Sequence, residues 1–199
     1  MQEPAQDGVL YMASAEAWET WLDAHHQSSQ GVWLKIAKKG CTETTPTYSD
    51  ALDVALCFGW IDGQKRPLDA EFWLQRFTPR RARSVWSKVN TERVVALDAG
   101  GRLRSEGLRQ IEEAKADGRW DAAYAPQSTA VPPADFVEAL KASQTAAAFF
   151  ETLNKVNRYA IYYRIESVKR PTTRAAKIAT FVAMLERGET IHQTKKARD

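Results

Sequence analysis

Residues 56–64 read Leu-Cys-Phe-Gly-Trp-Ile-Asp-Gly-Gln, and within them the chain changes from helix to strand. Leu52 and Leu56 have helical spacing, and Gly59 is a natural residue at which a helix ends. From Trp60 onward the pattern indicates extended structure. A helix followed directly by a strand predicts that both kinds of element belong to one folded unit.

The residues on either side of this stretch predict further strands and helices. Side chains alternate between apolar and polar faces at residues 32–38 and again at 72–77, which is typical of strands. Helix starts are indicated at Ser14, at Thr47 and at either Ser87 or Asn90, because hydroxyl and amide side chains cap helix N-termini, and a further helix begins at Ser105. This half of the chain therefore contains three or four short strands among helices.

The second half of the sequence is helical throughout. Residues 120–133 are rich in Ala, Pro, Gln and Ser, a composition typical of a connecting segment. Helical patterns follow, the last of which begins at Pro171 and ends at Gly188. We predict the α+β class, with a small antiparallel sheet backed by helices at residues 9–123, a connection at 124–133, an all-helical module at 134–191 and a frayed basic tail at 192–199.

Composition excludes several classes of protein. The chain has 199 residues, of which 44% are hydrophobic and 27% charged, as in ordinary globular proteins. No run approaches eighteen apolar residues, so we expect no membrane insertion. The N-terminus lacks the pattern of a signal peptide, and we expect a cytoplasmic protein. Two cysteines and three histidines, without metal-ligand or cofactor-binding motifs, predict neither a metal nor a cofactor.

Positive charge is concentrated in two segments, although the formal net charge is only +3. Residues 76–93 contain six Lys or Arg against Glu92, and residues 155–177 contain seven against Glu166. Helix ends and apolar surfaces also attract cations, so a structural role for these side chains remains open. A local basic segment nevertheless favours an anionic partner.

The first basic segment also holds aromatic and polar side chains, and it predicts a ligand site between residues 60–64 and 76–90. Indole faces, guanidinium groups and small polar groups together are typical of a pocket for a small anionic or aromatic molecule. We assign charge-assisted hydrogen bonds to the arginines, ring faces to the tryptophans and orientation of the ligand to the polar residues. The candidate residues are Trp60, Asp62, Gln64, Arg76, Arg80, Arg81, Ser84, Trp86, Ser87 and Asn90.

Other interpretations of the same residues stay open. Each tryptophan taken singly is also a core candidate. Asp62 is the one candidate general base, although a carboxylate near Arg76 or Arg80 more often serves as a structural ion-pair partner. Since no nucleophile or phosphate-loop motif is present, we expect binding without catalysis. The basic segment at residues 76–93 also suits nucleic acid, and aromatic residues of the helical module suit a protein partner.

Three of these stretches resemble a known bacterial family, the YdeI/OmpD-associated proteins. The resemblance is carried by residues 56–64, by Gln75-Arg76-Phe77-Thr78-Pro79-Arg80-Arg81 and by Trp86-Ser87-Lys88-Val89-Asn90. In the C-terminal half it is carried by Asn157-Arg158-Tyr159-Ala160 and by Lys169-Arg170-Pro171-Thr172-Thr173-Arg174. The match extends over residues 14–191.

The resemblance implies a role in stress or antimicrobial (bacteriocin) protection, and it implies no particular reaction. It also implies that the N-terminal half has the YjbR/CyaY-like fold, in which one sheet is backed by helices. Iron binding, known among frataxin-like relatives of that superfamily, is not expected here. The first predicted helix has only Glu16, Glu19 and Asp23 as acids, set among tryptophans.

Overall fold

A computed structural model describes residues 8–193 of the chain. The elements are β1 (Val9–Leu10), α1 (Ala15–His25), β2 (Val32–Ala37), α2 (Tyr48–Cys57), β3 (Trp60–Pro67), β4 (Phe72–Pro79), α3 (Lys88–Ala99), α4 (Ser105–Ala116), α5 (Ala134–Lys141), α6 (Gln144–Thr152), α7 (Lys155–Glu166) and α8 (Pro171–Glu186). The α+β class and the helical C-terminal region are therefore confirmed. The last six residues of the predicted basic tail, 194–199, lie outside the described residues.

The helix starts follow the capping residues seen in the sequence. The Ser14 hydroxyl oxygen accepts a hydrogen bond from the Ala17 backbone N–H at 3.3 Å. At the start of α2, the Thr47 oxygen accepts one from the Asp50 backbone N–H at 3.2 Å and its hydroxyl donates to the Asp50 carboxylate at 2.7 Å. Ser87, rather than Asn90, is the N-cap of α3. Local hydrogen bonds of this kind can be predicted from a sequence because both partners lie within one helical turn.

The four strands form one sheet in the order β1-β2-β4-β3. β2 with β4 and β3 with β4 are antiparallel pairs, but β1 runs parallel to β2. The sheet is thus mixed: three strands form the expected antiparallel pairs, and β1 adds a parallel pair that the sequence did not predict. β1 has only two residues, too few to show a side-chain alternation in the sequence.

One face of the sheet packs on helices and forms the core of the N-terminal unit. Val32, Leu34 and Ile36 of β2 and Phe77 of β4 are buried in the same cluster as Trp18 of α1. Alternation along each strand sends the residues between them to the opposite face. The sheet therefore presents one face to the helices and a second face that is chemically different.

The strand pairing is interrupted where β3 contains a bulge, between Asp62 and Lys65. The buried side-chain nitrogen of Gln75 lies 3.0 Å from the Gly63 carbonyl oxygen and 3.2 Å from that of Gln64. Such side-chain donors satisfy carbonyl groups that the interrupted ladder leaves without their strand partners. Gln75 thereby stabilises the end of β3 that contains the predicted site residues.

The chain divides into two compact units between Ala123 and Tyr124. The second unit has its own core, which includes Phe136 of α5, Phe150 of α6, Ile161 of α7 and Leu185 of α8. The bounds predicted for the connection, residues 124–133, stay a prediction. Within the part of the chain that the structure describes, no helix combines the length and the apolar character needed to cross a membrane.

Candidate functional site

Trp60 lies in the core of the N-terminal unit. Only 1% of its surface is exposed, and its ring makes edge contacts with Trp18 and Trp21, at centroid distances of 6.3 and 6.1 Å. Its indole N–H donates to the His26 carbonyl oxygen at 3.1 Å. The ring face that the sequence assigned to a ligand is therefore covered by protein.

Asp62 lies two residues further along β3, on the face of the sheet that packs against helices. Its register partner is Phe77, and its carboxylate accepts a hydrogen bond from the Tyr48 hydroxyl at 2.7 Å. This bond joins β3 to the first residue of α2. Such a bond suits a structural role, but its partner is a tyrosine and not the Arg76 or Arg80 expected from the sequence, and the choice between brace and general base stays a prediction.

Arg76 and Gln64 occupy different surroundings from Trp60. Arg76 pairs with Trp33 in the β2–β4 ladder, and its guanidinium carbon lies 5.9 Å from the Trp33 ring centroid. By alternation along β4, Arg76 lies on the face opposite to Phe77 and hence opposite to Asp62. Gln64 is exposed at the bulge. The sheet thus separates Arg76 from the core side on which Trp60 and Asp62 lie.

Arg80 and Trp86 form a buried cation–π pair beneath the loop that connects β4 to α3. Only 6% of Arg80 and 2% of Trp86 is exposed, and the guanidinium carbon lies 3.8 Å from the centroid of the Trp86 ring. The guanidinium also donates to the Val85 carbonyl oxygen at 2.8 Å. Stacking on an indole suits the planar guanidinium group. The stacked pair and the hydrogen bond to Val85 thereby stabilise the conformation of the loop.

Arg81 and Ser84 form a tight turn within the same loop. The Ser84 hydroxyl oxygen accepts from the Arg81 backbone N–H at 3.1 Å, and the Ser84 backbone N–H donates to the Arg81 carbonyl at 3.0 Å. Between them, Arg83 has φ 67°, the one positive φ among the described non-glycine residues. Such a conformation persists where the surrounding structure determines it. The turn leaves the side chains of Arg81 and Arg83 exposed.

Arg119 stabilises the same loop from a distant part of the sequence. Its guanidinium donates to the Ser84 carbonyl oxygen at 2.9 Å and forms an ion pair with Asp117 at 2.7 Å. The pKa of Asp117 is lowered, first by the hydrogen bond from Arg119 and to a smaller extent by the charge of Arg83. The sequence contained no signal for Arg119, which lies 35 residues beyond Ser84. The conformation of the loop therefore depends on a contact that forms only in the folded protein.

The remaining candidates lie at the N-terminus of α3. The Ser87 hydroxyl oxygen accepts from the Asn90 backbone N–H at 3.2 Å, so Ser87 serves as the helix cap, and Asn90 is half-buried. The first turn of α3 contains no acid, and its first residue, Lys88, is exposed. The partial positive charge of the helix N-terminus is thus left without an acidic side chain in the first turn of α3.

The ten predicted residues consequently fall into four places. Trp60 and Asp62 belong to the helix-packed side of the sheet, Arg76 to the opposite face, Gln64 to the bulge in β3, and the other six to the loop and helix start after β4. We name residues 80–88 the basic loop. Ligand contact by these residues stays a prediction, and the exposed cations of the basic loop are Arg81, Arg83 and Lys88.

A cleft of about 620 Å³ lies elsewhere, at the N-terminal ends of α1 and α2. Of its acidic residues, Asp53 forms an ion pair with Arg93 at 2.6 Å and Glu19 one with Arg104 at 2.9 Å. The pKa of Glu16 is lowered by its hydrogen bond with Ser14. These carboxylates serve helix capping and ion pairing. Within residues 8–193, no group of three or more His, Cys, Asp or Glu is arranged to hold a metal ion.

Two family models match the chain. The model described as Domain of unknown function (DUF8412) matches residues 10–110, which contain β2 to β4, the basic loop and α3. The model described as Bacteriocin-protection, YdeI or OmpD-Associated (OmdA) matches residues 129–188, which contain α5 to α8.

No curated protein and no solved structure matches. The YdeI/OmpD-associated resemblance is confirmed for the C-terminal region, and the YjbR/CyaY-like assignment stays a prediction. Because the first model spans 101 residues (10–110), just over half of the 199-residue chain, the protein belongs to the DUF8412 family, with an OmdA region at its C-terminus.

Proposed function

We propose that the protein binds a small anionic compound at the basic loop, without catalysis. The observation that carries this proposal is the pair of exposed arginines, Arg81 and Arg83, on a turn held by the buried Arg80–Trp86 pair and by Arg119. A fixed backbone reduces the entropy lost when a ligand orders the side chains that bind it. Exposed guanidinium groups on such a backbone favour a carboxylate or phosphate ligand.

The α3 N-terminus supports the same ligand class. Lys88 is its first residue, and no acid in the first turn neutralises the partial positive charge of the helix. Asp117 is the nearby carboxylate in electrostatic contact with Arg83, and it is already bound by Arg119. The balance of charge around the turn therefore remains positive. Aromatic recognition is not part of this proposal, because Trp60 and Trp86 are buried.

The match of the OmdA family model supports the physiological role in this proposal. A family described as bacteriocin-protection or OmpD-associated suits a protein that binds an antimicrobial compound or an anionic signal of stress. In our proposal the N-terminal unit supplies the anion site.

The test is calorimetric titration with inorganic pyrophosphate and with benzoate, using wild type and the double variant Arg81→Gln/Arg83→Gln. We expect one-to-one binding of at least one probe, and a loss of at least about ten-fold in affinity in the variant, because each charge-assisted hydrogen bond contributes roughly 1.5–3 kcal/mol. Substitution of Arg80 or Trp86 is less informative, because both are buried and a variant there alters the fold of the loop.

The matched control is Lys39→Gln, which removes an exposed cation in a turn elsewhere on the same unit. The control keeps wild-type affinity if the site is the basic loop. Equal binding by wild type and the double variant, or an equal loss in the control, contradicts the proposal. Affinity that requires a long oligonucleotide and falls steeply with salt would instead favour the nucleic-acid alternative for residues 76–93.

A further inference from the structure

The face of the sheet that points away from α1 and α2 has a composition unlike that of the core. In the register of β2 with β4, Trp33 lies opposite Arg76 and Lys35 opposite Leu74. In the register of β3 with β4, Arg66 lies opposite Leu74. Partners directly opposite each other share a face. We name the surface formed by Trp33, Lys35, Arg66, Phe72, Leu74 and Arg76 the cationic sheet face.

The apolar residues of the cationic sheet face lie beneath long cationic side chains. Phe72 and Leu74 are 3% and 1% exposed, yet neither belongs to the core cluster around Trp18. The Lys35 ammonium lies 4.0 Å from the Phe72 ring centroid. Aliphatic stems of lysine and arginine can cover apolar surface while their charges stay in water. Lys35 lies over Phe72 in this way.

The side chain of Arg66 extends across β4. Its backbone is in β3, but its guanidinium carbon lies 4.2 Å from the ring centroid of Trp33 in β2, with β4 between the two strands. The stem of Arg66 must therefore pass over β4, where Leu74 is its register partner. The residue as a whole remains exposed. The Trp33 ring and the Arg66 guanidinium thus form a cation–π pair on this face of the sheet.

The charged strand residues described on this face are all cations. Among the described strand residues that the registers place on it, none is Asp or Glu. The acid in electrostatic contact with Lys35 is Asp69, which lies outside the strands, in the turn between β3 and β4. The described strand residues of this face therefore contribute cations, which complement a polyanion.

From this arrangement we propose that the cationic sheet face binds single-stranded nucleic acid. The guanidinium of Arg66, held flat by Trp33, stacks on an unpaired base, and Lys35 and Arg66 contact phosphates. Stacking on planar side chains together with a basic surface is how proteins bind single strands without a sequence code. Duplex nucleic acid offers no unpaired base, and an anionic membrane offers phosphate without a planar ring. The stacked guanidinium therefore favours the single strand.

The test uses fluorescence anisotropy of a labelled single-stranded oligonucleotide of about ten nucleotides, a length within the usual range for one such surface. We expect wild type to bind, with affinity that falls between about 50 and 200 mM salt. The double variant Lys35→Gln/Arg66→Gln is expected to bind at least about ten-fold more weakly. Its salt slope is expected to be shallower by about 1.4, which is 0.7 for each lost phosphate contact.

A second variant, Arg66→Lys, separates stacking from charge. It keeps the charge, so we expect the salt slope of wild type, but it removes the planar group and weakens binding by about five-fold or more. Lys39→Gln/Lys169→Gln is the matched control, since it removes two exposed cations that lie outside the cationic sheet face and the basic loop, and it is expected to leave this affinity unchanged. Circular dichroism melting of every variant checks that the sheet still folds.

Three results would overturn the proposal. The first is no binding of the oligonucleotide by wild type at low salt. The second is unchanged affinity in Lys35→Gln/Arg66→Gln, or wild-type affinity in Arg66→Lys. The third is that duplex DNA, or vesicles of phosphatidylserine and phosphatidylcholine, binds as tightly as the single strand and competes with it.

Discussion

At the scale of single residues, Arg80 and Arg81 show how neighbours with the same side chain take different roles. Arg80 is buried against Trp86, whereas Arg81 is exposed in the turn above it. A guanidinium can serve either purpose, because its flat face stacks and its edge donates hydrogen bonds. The number of arginines in a stretch of sequence does not show which of them is buried and which is exposed.

Cys57 leads to a prediction about pH. Burial raises the pKa of its thiol from 9.0 to about 11, and only 1% of the residue is exposed. Because the folded-state pKa is the higher one, the unfolded chain loses this proton first as pH rises. The stability associated with the protonated thiol is present below pH 9.0 and is lost between pH 9.0 and about 11.

We therefore expect the free energy of unfolding to fall by about 2–3 kcal/mol more in wild type than in Cys57→Ala over that range. Urea denaturation at a series of pH values measures the difference. Subtracting the Cys57→Ala curve removes the contribution of lysines and tyrosines that titrate in the same range. Parallel curves for the two proteins would contradict the prediction.

At the scale of elements, the close approach of α2 and α4 depends on Gly107. A Cβ built there would lie 2.4 Å from the Cys57 carbonyl oxygen, which also accepts a hydrogen bond from the Arg104 backbone N–H at 3.0 Å. Backbone atoms cannot move aside as the end of a flexible side chain can. The glycine thus sets the distance between two helices that pack in the N-terminal unit.

Gly107→Ala is expected to lower the free energy of unfolding by about 1–3 kcal/mol, the usual effect of overpacking. The control is Gly100→Ala, where φ is −84° and the nearest atom to an added Cβ is at 3.6 Å. Urea denaturation of both variants provides the measurement. Equal stability of the two variants would show that α2 and α4 can separate without strain.

At the scale of the whole molecule, each of the two units has its own apolar core. Phe77 is fully buried in the cluster of the N-terminal unit, and Phe136 in that of the helical unit. Neither cluster includes a residue of the other. Each core can therefore lose stability by itself.

Phe136→Ala is expected to lower the opening free energy of the helical unit by about 3–5 kcal/mol, the cost of removing a buried phenyl group. Native-state hydrogen exchange should show loss of amide protection in α5 to α8 while β2 and β4 keep theirs. Phe77→Ala is the reciprocal variant, with the opposite pattern. Uniform loss of protection in either variant would mean that the units unfold as one.

Much of the fold could be predicted from local pattern. The caps at Ser14, Thr47 and Ser87 depend on partners three residues away, and the strand at Val32–Ala37 depends on a two-residue alternation. The β1 strand was not predicted, because two residues are too few to show the two-residue alternation of a strand. The candidate site stays a prediction, and the division of its ten residues among four surroundings was not predicted from the sequence.

The sequence by itself determined the class of the fold, the helix starts and the position of the basic segment, because these depend on residues within about one turn of each other. Tertiary structure alone decided that Arg76 and Trp60 lie on opposite sides of the sheet, that Arg119 binds the loop at Ser84, and that Arg66 reaches Trp33 across β4. The physical reason is that strand register and long-range packing join residues tens of positions apart. No local propensity encodes those pairings, and they form only when the core excludes water.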